Sequence, residues 1–184
     1  MLEYEEKWIE AWKKDRVFEA DRDVSREKLF VNAPFPYMNG PLHIGHAFTY
    51  TRLDAYARYR RMKGDNVLFP FAWHWTGEAV AGQSVRLKKG DPTVIKAFVE
   101  IDGIPPEELE KFTSPYNLAE YYTRVSREAL YKLGLSIDWR REFFTTSYNK
   151  GFSKFIEWQY LKLKEKNFVI KGSHPVVWCP SDQS

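Results

Sequence analysis

The succession of strand, loop, helix and strand between residues 28 and 69 constrains this chain more than any other feature. Lys28-Leu29-Phe30-Val31-Asn32-Ala33 predicts a strand, stopped by Pro34. The loop Pro34 to Pro41 follows. From Ile44 to Lys63 the pattern turns helical: Ile44, Phe48, Thr51, Ala55, Tyr59 and Met62 recur at helical spacing and fall on one face. Arg58, Arg60, Arg61 and Lys63 crowd its last turns and Gly64 lies just beyond, the expected stop signals. Asn66-Val67-Leu68-Phe69 predicts a second strand, ended by Pro70. Two strands joined through a helix make a βαβ unit, so the sheet is parallel and the crossover right-handed.

Outside this unit the chain reads mostly as helix. Leu2 to Arg16, with Trp8, Ile9 and Trp12 among many charges, predicts a short amphipathic helix packed on the main body. Segments 91–100 and 105–112 are short helix candidates. Leu118, Tyr122, Val125, Ala129 and Leu133 mark a longer helix stopped by Gly134, and Phe152, Ile156, Tyr160 and Leu163 mark another. Residues 168–178 read as an extended, β-rich stretch. The 184 residues suit one domain, or one domain with an appendage. A single cysteine, Cys179, excludes an internal disulfide framework and suits a reducing compartment. No apolar run is long enough to span a bilayer, and the charged N-terminus lacks a signal core. A soluble, cytoplasmic protein is expected, with no membrane partner. An aromatic content of 17% excludes a disordered chain, and a net charge of +3 permits a nucleic-acid partner without arguing for one.

Pro34-Phe35-Pro36-Tyr37-Met38-Asn39-Gly40-Pro41-Leu42-His43-Ile44-Gly45-His46 carries the chemistry. It joins a strand end to a helix start, where parallel sheets bind ligands. A helix N-terminus offers unpaired N–H groups and a positive dipole end to phosphate. His43 and His46 are spaced to project to one side and could donate to phosphate oxygens. Gly45 removes a side chain where a flat ring could lie against the backbone. Two histidines at this spacing can also be plain surface residues or metal ligands. A zinc site wants further ligands, and no nearby carboxylate completes a zinc pattern.

The segment resembles the extended His-Ile-Gly-His signature of class I aminoacyl-tRNA synthetases. Arg61-Met62-Lys63-Gly64 followed by Asn66-Val67-Leu68-Phe69-Pro70 is similar to the way the large-amino-acid members leave the signature helix. Trp73-His74-Trp75-Thr76-Gly77 resembles the archaeal and eukaryotic-cytosolic leucyl branch. So do Ser136-Ile137-Asp138-Trp139-Arg140-Arg141-Glu142-Phe143, residues 152–159, and the run from Gly172 to Pro180. In one departure, Glu78-Ala79 stands where that branch has a small polar residue and proline. Glu78 could grip an amine, block the chemistry, or simply open a helix, which the dipole favours.

The resemblance implies an α/β fold: the first half of a Rossmann-like catalytic domain, with an N-terminal helix and a helical insertion. The division it implies is an N-terminal helical extension over 1–27, half of the catalytic domain over 28–170, and the start of the connection to an editing insertion over 171–184. It implies ATP-dependent activation of leucine and its transfer to leucine tRNA, with His43 and His46 catalytic. Asn39, Gly40, His43, Gly45 and His46 would bind ATP, and Phe35, Pro36, Tyr37 and His74 the amino acid. His74 could instead be a core histidine packed between tryptophans. Mg²⁺ would come with the ATP, with no metal held by the protein alone, and Cys179 reads as a packed thiol. The family's second signature, a Lys-Met-Ser-Lys-Ser loop, does not occur in these residues. The remainder of a synthetase, in cis or in trans, is therefore an expected partner. The alternatives are an inactive paralogue or fragment that binds nucleotide, tRNA or a partner, and a small nucleotidyltransferase using His-x-x-His.

Overall fold

The computed structural model describes residues 3–178 and 180. Cys179 lies outside them, so its expected packing has no counterpart here. The first helix, α1 (Glu3–Lys14), leads to strand β1 (Lys28–Phe30) and helix α2 (Ile44–Met62), then to β2 (Asn66–Leu68) and β3 (Ala72–Trp73). Helices α3 (Glu78–Lys88) and α4 (Pro92–Lys96) follow, the latter prolonged by a π turn over Ala97–Ile101. A 3₁₀ stretch over Pro106–Thr113 precedes α5 (Pro115–Lys132); β4 (Phe143–Phe144) and α6 (Lys150–Glu165) complete the order.

The four strands form two short two-stranded parallel sheets, which further backbone hydrogen bonds continue into one parallel layer. Strand β1 pairs with β2 in parallel, Leu29 opposite Val67, and β3 pairs with β4 in parallel, Ala72 opposite Phe143. Pro70 separates β2 from β3. Across that gap Asp138 N–H donates to Phe69 O at 2.8 Å, and Thr145 N–H donates to Trp73 O at 3.1 Å. On the opposite side an isolated parallel bridge joins Tyr37 to His74. Residues 66–75 thus form a central strip, flanked by 28–38 on one side and 138–145 on the other. All three segments run the same way, so the signature loop, His74 and Thr145 come to one end.

The core follows from this layer. Met38, Phe69, Phe71, Trp73, Tyr50 and Ala57 are fully buried around the strip. The Tyr50 ring meets Phe71 edge-on at 5.1 Å. Buried indole N–H groups find partners: Trp73 Nε1 donates to Glu142 Oε1 and Trp75 Nε1 to Thr123 Oγ1, each at 2.7 Å. The helical insertion packs α3 against α5 and the 3₁₀ stretch around Val80, Leu87, Phe98, Phe112 and Tyr122.

Two expectations need correction. Helix α2 has nearly its expected limits, but its apolar stripe faces outward: Ile44 is 85% exposed, Phe48 62% and Met62 86%. The buried face carries Tyr50, Asp54 and Ala57 instead. A polar network explains the rotation. Asp54 Oδ1 accepts from Ser136 N–H at 2.6 Å while its Oδ2 accepts from Arg58 Nε at 2.7 Å. Arg61 donates to Ser136 Oγ at 2.6 Å, to Ser136 O at 3.0 Å and to Val67 O at 3.3 Å. These charges are satisfied only by facing the 134–138 turn, so the stripe is left to solvent. The second correction is the β-rich stretch: residues 168–178 form no strand. A strand needs a ladder partner, and no pairing reaches them among the described residues.

Candidate active site

Strand β1 delivers the chain into Pro34–Met38, a loop held by its ends and its middle. Met38 is fully buried and anchors it. Met38 N–H donates to His74 O at 3.1 Å, and His74 N–H donates to Pro36 O at 2.9 Å. Phe35 turns its ring edge-on to Phe143 of β4, 5.4 Å between centroids. Tyr37 is half exposed and lies edge-on to the His74 imidazole at 4.3 Å. A cleft of about 180 Å³ opens between Pro34–Tyr37 and the His46, Thr49 and Tyr50 side chains of α2. Two larger hollows and a smaller one flank α1, and none of these is lined by residues 34–46.

At the head of α2, His43 is the N-cap and the rings of His43 and His46 stand 4.0 Å apart. They cap reciprocally. Gly45 N–H donates to His43 Nδ1 at 3.1 Å, and His43 N–H donates to His46 Nδ1 at 3.2 Å. The space left by the missing side chain of Gly45 is filled by the His43 ring, whose Cε1 would lie 2.9 Å from an added Cβ. Asn39 and Gly40 are half-buried in the bend before this helix. Burial, and then the neighbouring charge of His43, hold the His46 imidazole below its ordinary pKa; burial does the same for His74. Burial pushes the Tyr50 phenol up, and its hydroxyl donates to Pro34 O at 3.2 Å.

The structure therefore gathers Phe35, Pro36, Tyr37 and His74 on one side of the loop and His43, Gly45 and His46 on the other. Sequence reasoning missed Thr49 and Tyr50, although Tyr50 follows His46 by one helical turn. Thr76 and Gly77 stood out in the sequence only as part of the segment around His74, with no role of their own. Thr76 Oγ1 lies 3.2 Å from His74 Nε2. Gly77, at φ +89°, takes a conformation that side chains rarely adopt, and Tyr37 lies 3.8 Å from where its Cβ would be. Glu78 opens α3, exposed and folded back over Gly82, which is the helix-start arrangement. Among the described residues no group of three His, Cys, Asp or Glu gathers to hold a metal.

Parallel strands ending at a donor-rich helix N-terminus define an α/β domain of the nucleotide-binding type. The profile of the family described as tRNA synthetases class I (I, L, M and V) matches residues 7–184, and the chain belongs to that family. It is 52% identical, over 97% of its length, to a leucine--tRNA ligase of Aeropyrum pernix, covering 19% of that protein. It is 48% identical, over 99% of its length, to a leucine--tRNA ligase of Methanothrix thermoacetophila, again covering 19% of it. The chain thus spans about a fifth of the length of these relatives. Among solved structures, an Agrobacterium radiobacter K84 agnB2 LeuRS in a ternary complex with tRNA and LeuAMS is similar in fold. Its TM-score is 0.70 at 22% identity, over 97% of this chain and 19% of that one.

Proposed function

We propose that this chain supplies the N-terminal part of the catalytic site of a leucyl-tRNA synthetase. The reaction is attack of the leucine carboxylate on the α-phosphorus of ATP, which releases pyrophosphate and leaves leucyl-adenylate. The leucyl group then passes to the terminal ribose of leucine tRNA. The observation that carries the reading is the paired imidazoles of His43 and His46, 4.0 Å apart at the head of α2 beside the cleft walled by Phe35 to Tyr37. Such chemistry is won by positioning and charge stabilisation. His43 and His46 donate to phosphate oxygens as charge develops, with Asn39, Gly40 and Gly45 shaping the phosphate loop. Phe35, Pro36 and Tyr37 face the leucine side chain, and His74 accepts from its ammonium group, a role that suits a ring kept neutral by burial. Mg²⁺ enters with the nucleotide.

The proposal extends to the division into 1–27, 28–170 and 171–184, to a cytoplasmic location, and to the rest of the synthetase as partner. Among the described residues no helix is long and apolar enough to cross a membrane. ATP–pyrophosphate exchange tests the reading. The chain is assayed with each amino acid, alone and with the complementary C-terminal portion. Leucine-dependent exchange only in the combined sample is expected. Exchange dependent on another amino acid, or none in the combined sample, overturns it.

A further inference from the structure

A backbone N–H can only donate. The Nδ1 atoms of His43 and His46 each lie within reach of one, that of Gly45 at 3.1 Å and that of His43 itself at 3.2 Å. Each of these ring nitrogens must then present a lone pair. A neutral imidazole that accepts through Nδ1 carries its proton on Nε2. No hydrogen bond engages either Nε2 among the described residues.

We propose that His43 and His46 form a proton-sensitive capping box in which the head of α2 locks both rings as neutral Nε2–H tautomers, with Gly45 as the positioning residue. In the usual box of Ser or Thr with Glu, the Glu carboxylate presents only acceptors and a negative charge on its outer side. Two imidazoles satisfy the same backbone donors and turn donors outward. That consequence rests on the nucleotide reading, because an oxyanion is repelled by a carboxylate and held by an N–H. Gly45 is required because an added Cβ would stand 2.9 Å from His43 Cε1 and 3.0 Å from its Nδ1. The ring would be pushed off the amide it caps.

Proton sensitivity follows from the same contacts. A proton on Nδ1 of either ring converts an acceptor into a donor facing a donor, and the bond is lost. The titratable groups facing the pair are few. The rings face each other, and Tyr50 of α2 lies 5.9 Å from His46 between centroids. Tyr37 comes from the loop, with His74 of the central strip behind it at 4.3 Å. No carboxylate lines the cleft to favour an imidazolium. Burial and the charge of His43 act on His46 in the same sense.

The test is the two-bond ¹H–¹⁵N correlation spectrum of the ligand-free, ¹⁵N-histidine chain, followed from about pH 8 to about pH 5, across the ordinary imidazole range. Both rings should show an unprotonated, downfield Nδ1 and a protonated Nε2 at neutral pH. In Gly45→Ala, His43 should relax to a mixture of tautomers while His46 keeps its form, because the His46 partner is the amide of His43. His46→Gln, which still offers an acceptor at that position, should leave His43 as Nε2–H. A predominant Nδ1–H form of either ring in the unaltered chain overturns the proposal. So does a Gly45→Ala spectrum in which His43 is unmoved, or a His46→Gln spectrum in which His43 is released. No nucleotide is needed, so absent pyrophosphate exchange beside locked tautomers removes only the proposed function. Active exchange beside an Nδ1–H ring removes only this inference.

Discussion

At His46, burial and the charge of His43 both favour the neutral ring, and a neutral Nε2–H is a donor held ready for an oxyanion. In the complete enzyme His46→Ala should slow adenylate formation by about 10²-fold or more, the scale of losing one transition-state donor. Leucine binding, measured by equilibrium titration, should change little. The lowered values of His46 and His74 also set a sign for stability. A group whose folded value is depressed contributes fully above its ordinary value, here 6.5, and loses that contribution as pH falls through the folded value. Urea midpoints should therefore decline as pH drops below about 6.5, and His46→Gln with His74→Gln should flatten that limb. The loop and its histidines were legible in the sequence because their residue types and spacing state a chemistry. Which ring nitrogen faces the backbone was not, because spacing carries no information about ring orientation.

Helix α2 shows how an element can be read correctly in extent and wrongly in facing. Its limits follow from the histidine cap and from the basic last turn before Gly64. Its orientation follows from Asp54, Arg58 and Arg61, which a sequence reading assigns to solvent because charges are rarely buried. Here Asp54 is buried, 8% exposed, and the half-buried Arg58 and Arg61 complete a satisfied set, Arg58 also donating to Gly134 O. Removing one member leaves the others uncompensated. Asp54→Ala should cost about 1–3 kcal/mol in chemical denaturation, the scale of leaving the buried Ser136 N–H without its acceptor. Ile44→Ser, on the outward stripe, should stay within about 0.5 kcal/mol. The reverse ranking would mean that the stripe, not the network, holds the helix. Asp138 belongs to the same economy of burial: desolvation raises its pKa, but hydrogen bonds from Arg140 and the amide of Ala20 outweigh that and hold it low.

On the scale of the whole molecule, β1 pairs with β2 alone among the described residues, and its Phe30 is 63% exposed. The outward stripe of α2 and the aromatics Phe155 and Trp158 of α6 are exposed as well, and exposed apolar surface of this kind favours association when it is contiguous. Sedimentation should show concentration-dependent association of the isolated chain, reduced by Phe30→Lys, a substitution of the kind that blunts strand edges. The first two segments of the layer were legible as a βαβ unit, whereas 138–145, which pairs on the other side of the strip, was not read as a strand. The break at Pro70 was legible too, but the rejoining at the Tyr37–His74 bridge was not, because a one-residue bridge leaves no periodicity. That bridge also sets a timescale. Two backbone hydrogen bonds fasten an irregular loop to the central strip, so the amides of Met38 and His74 are both held by bonding, and that of the buried Met38 by interior packing as well. In hydrogen-exchange measurements they should report the opening of the core, slow as any strand amide, while Asn39 only a residue away exchanges on the timescale of a surface bend.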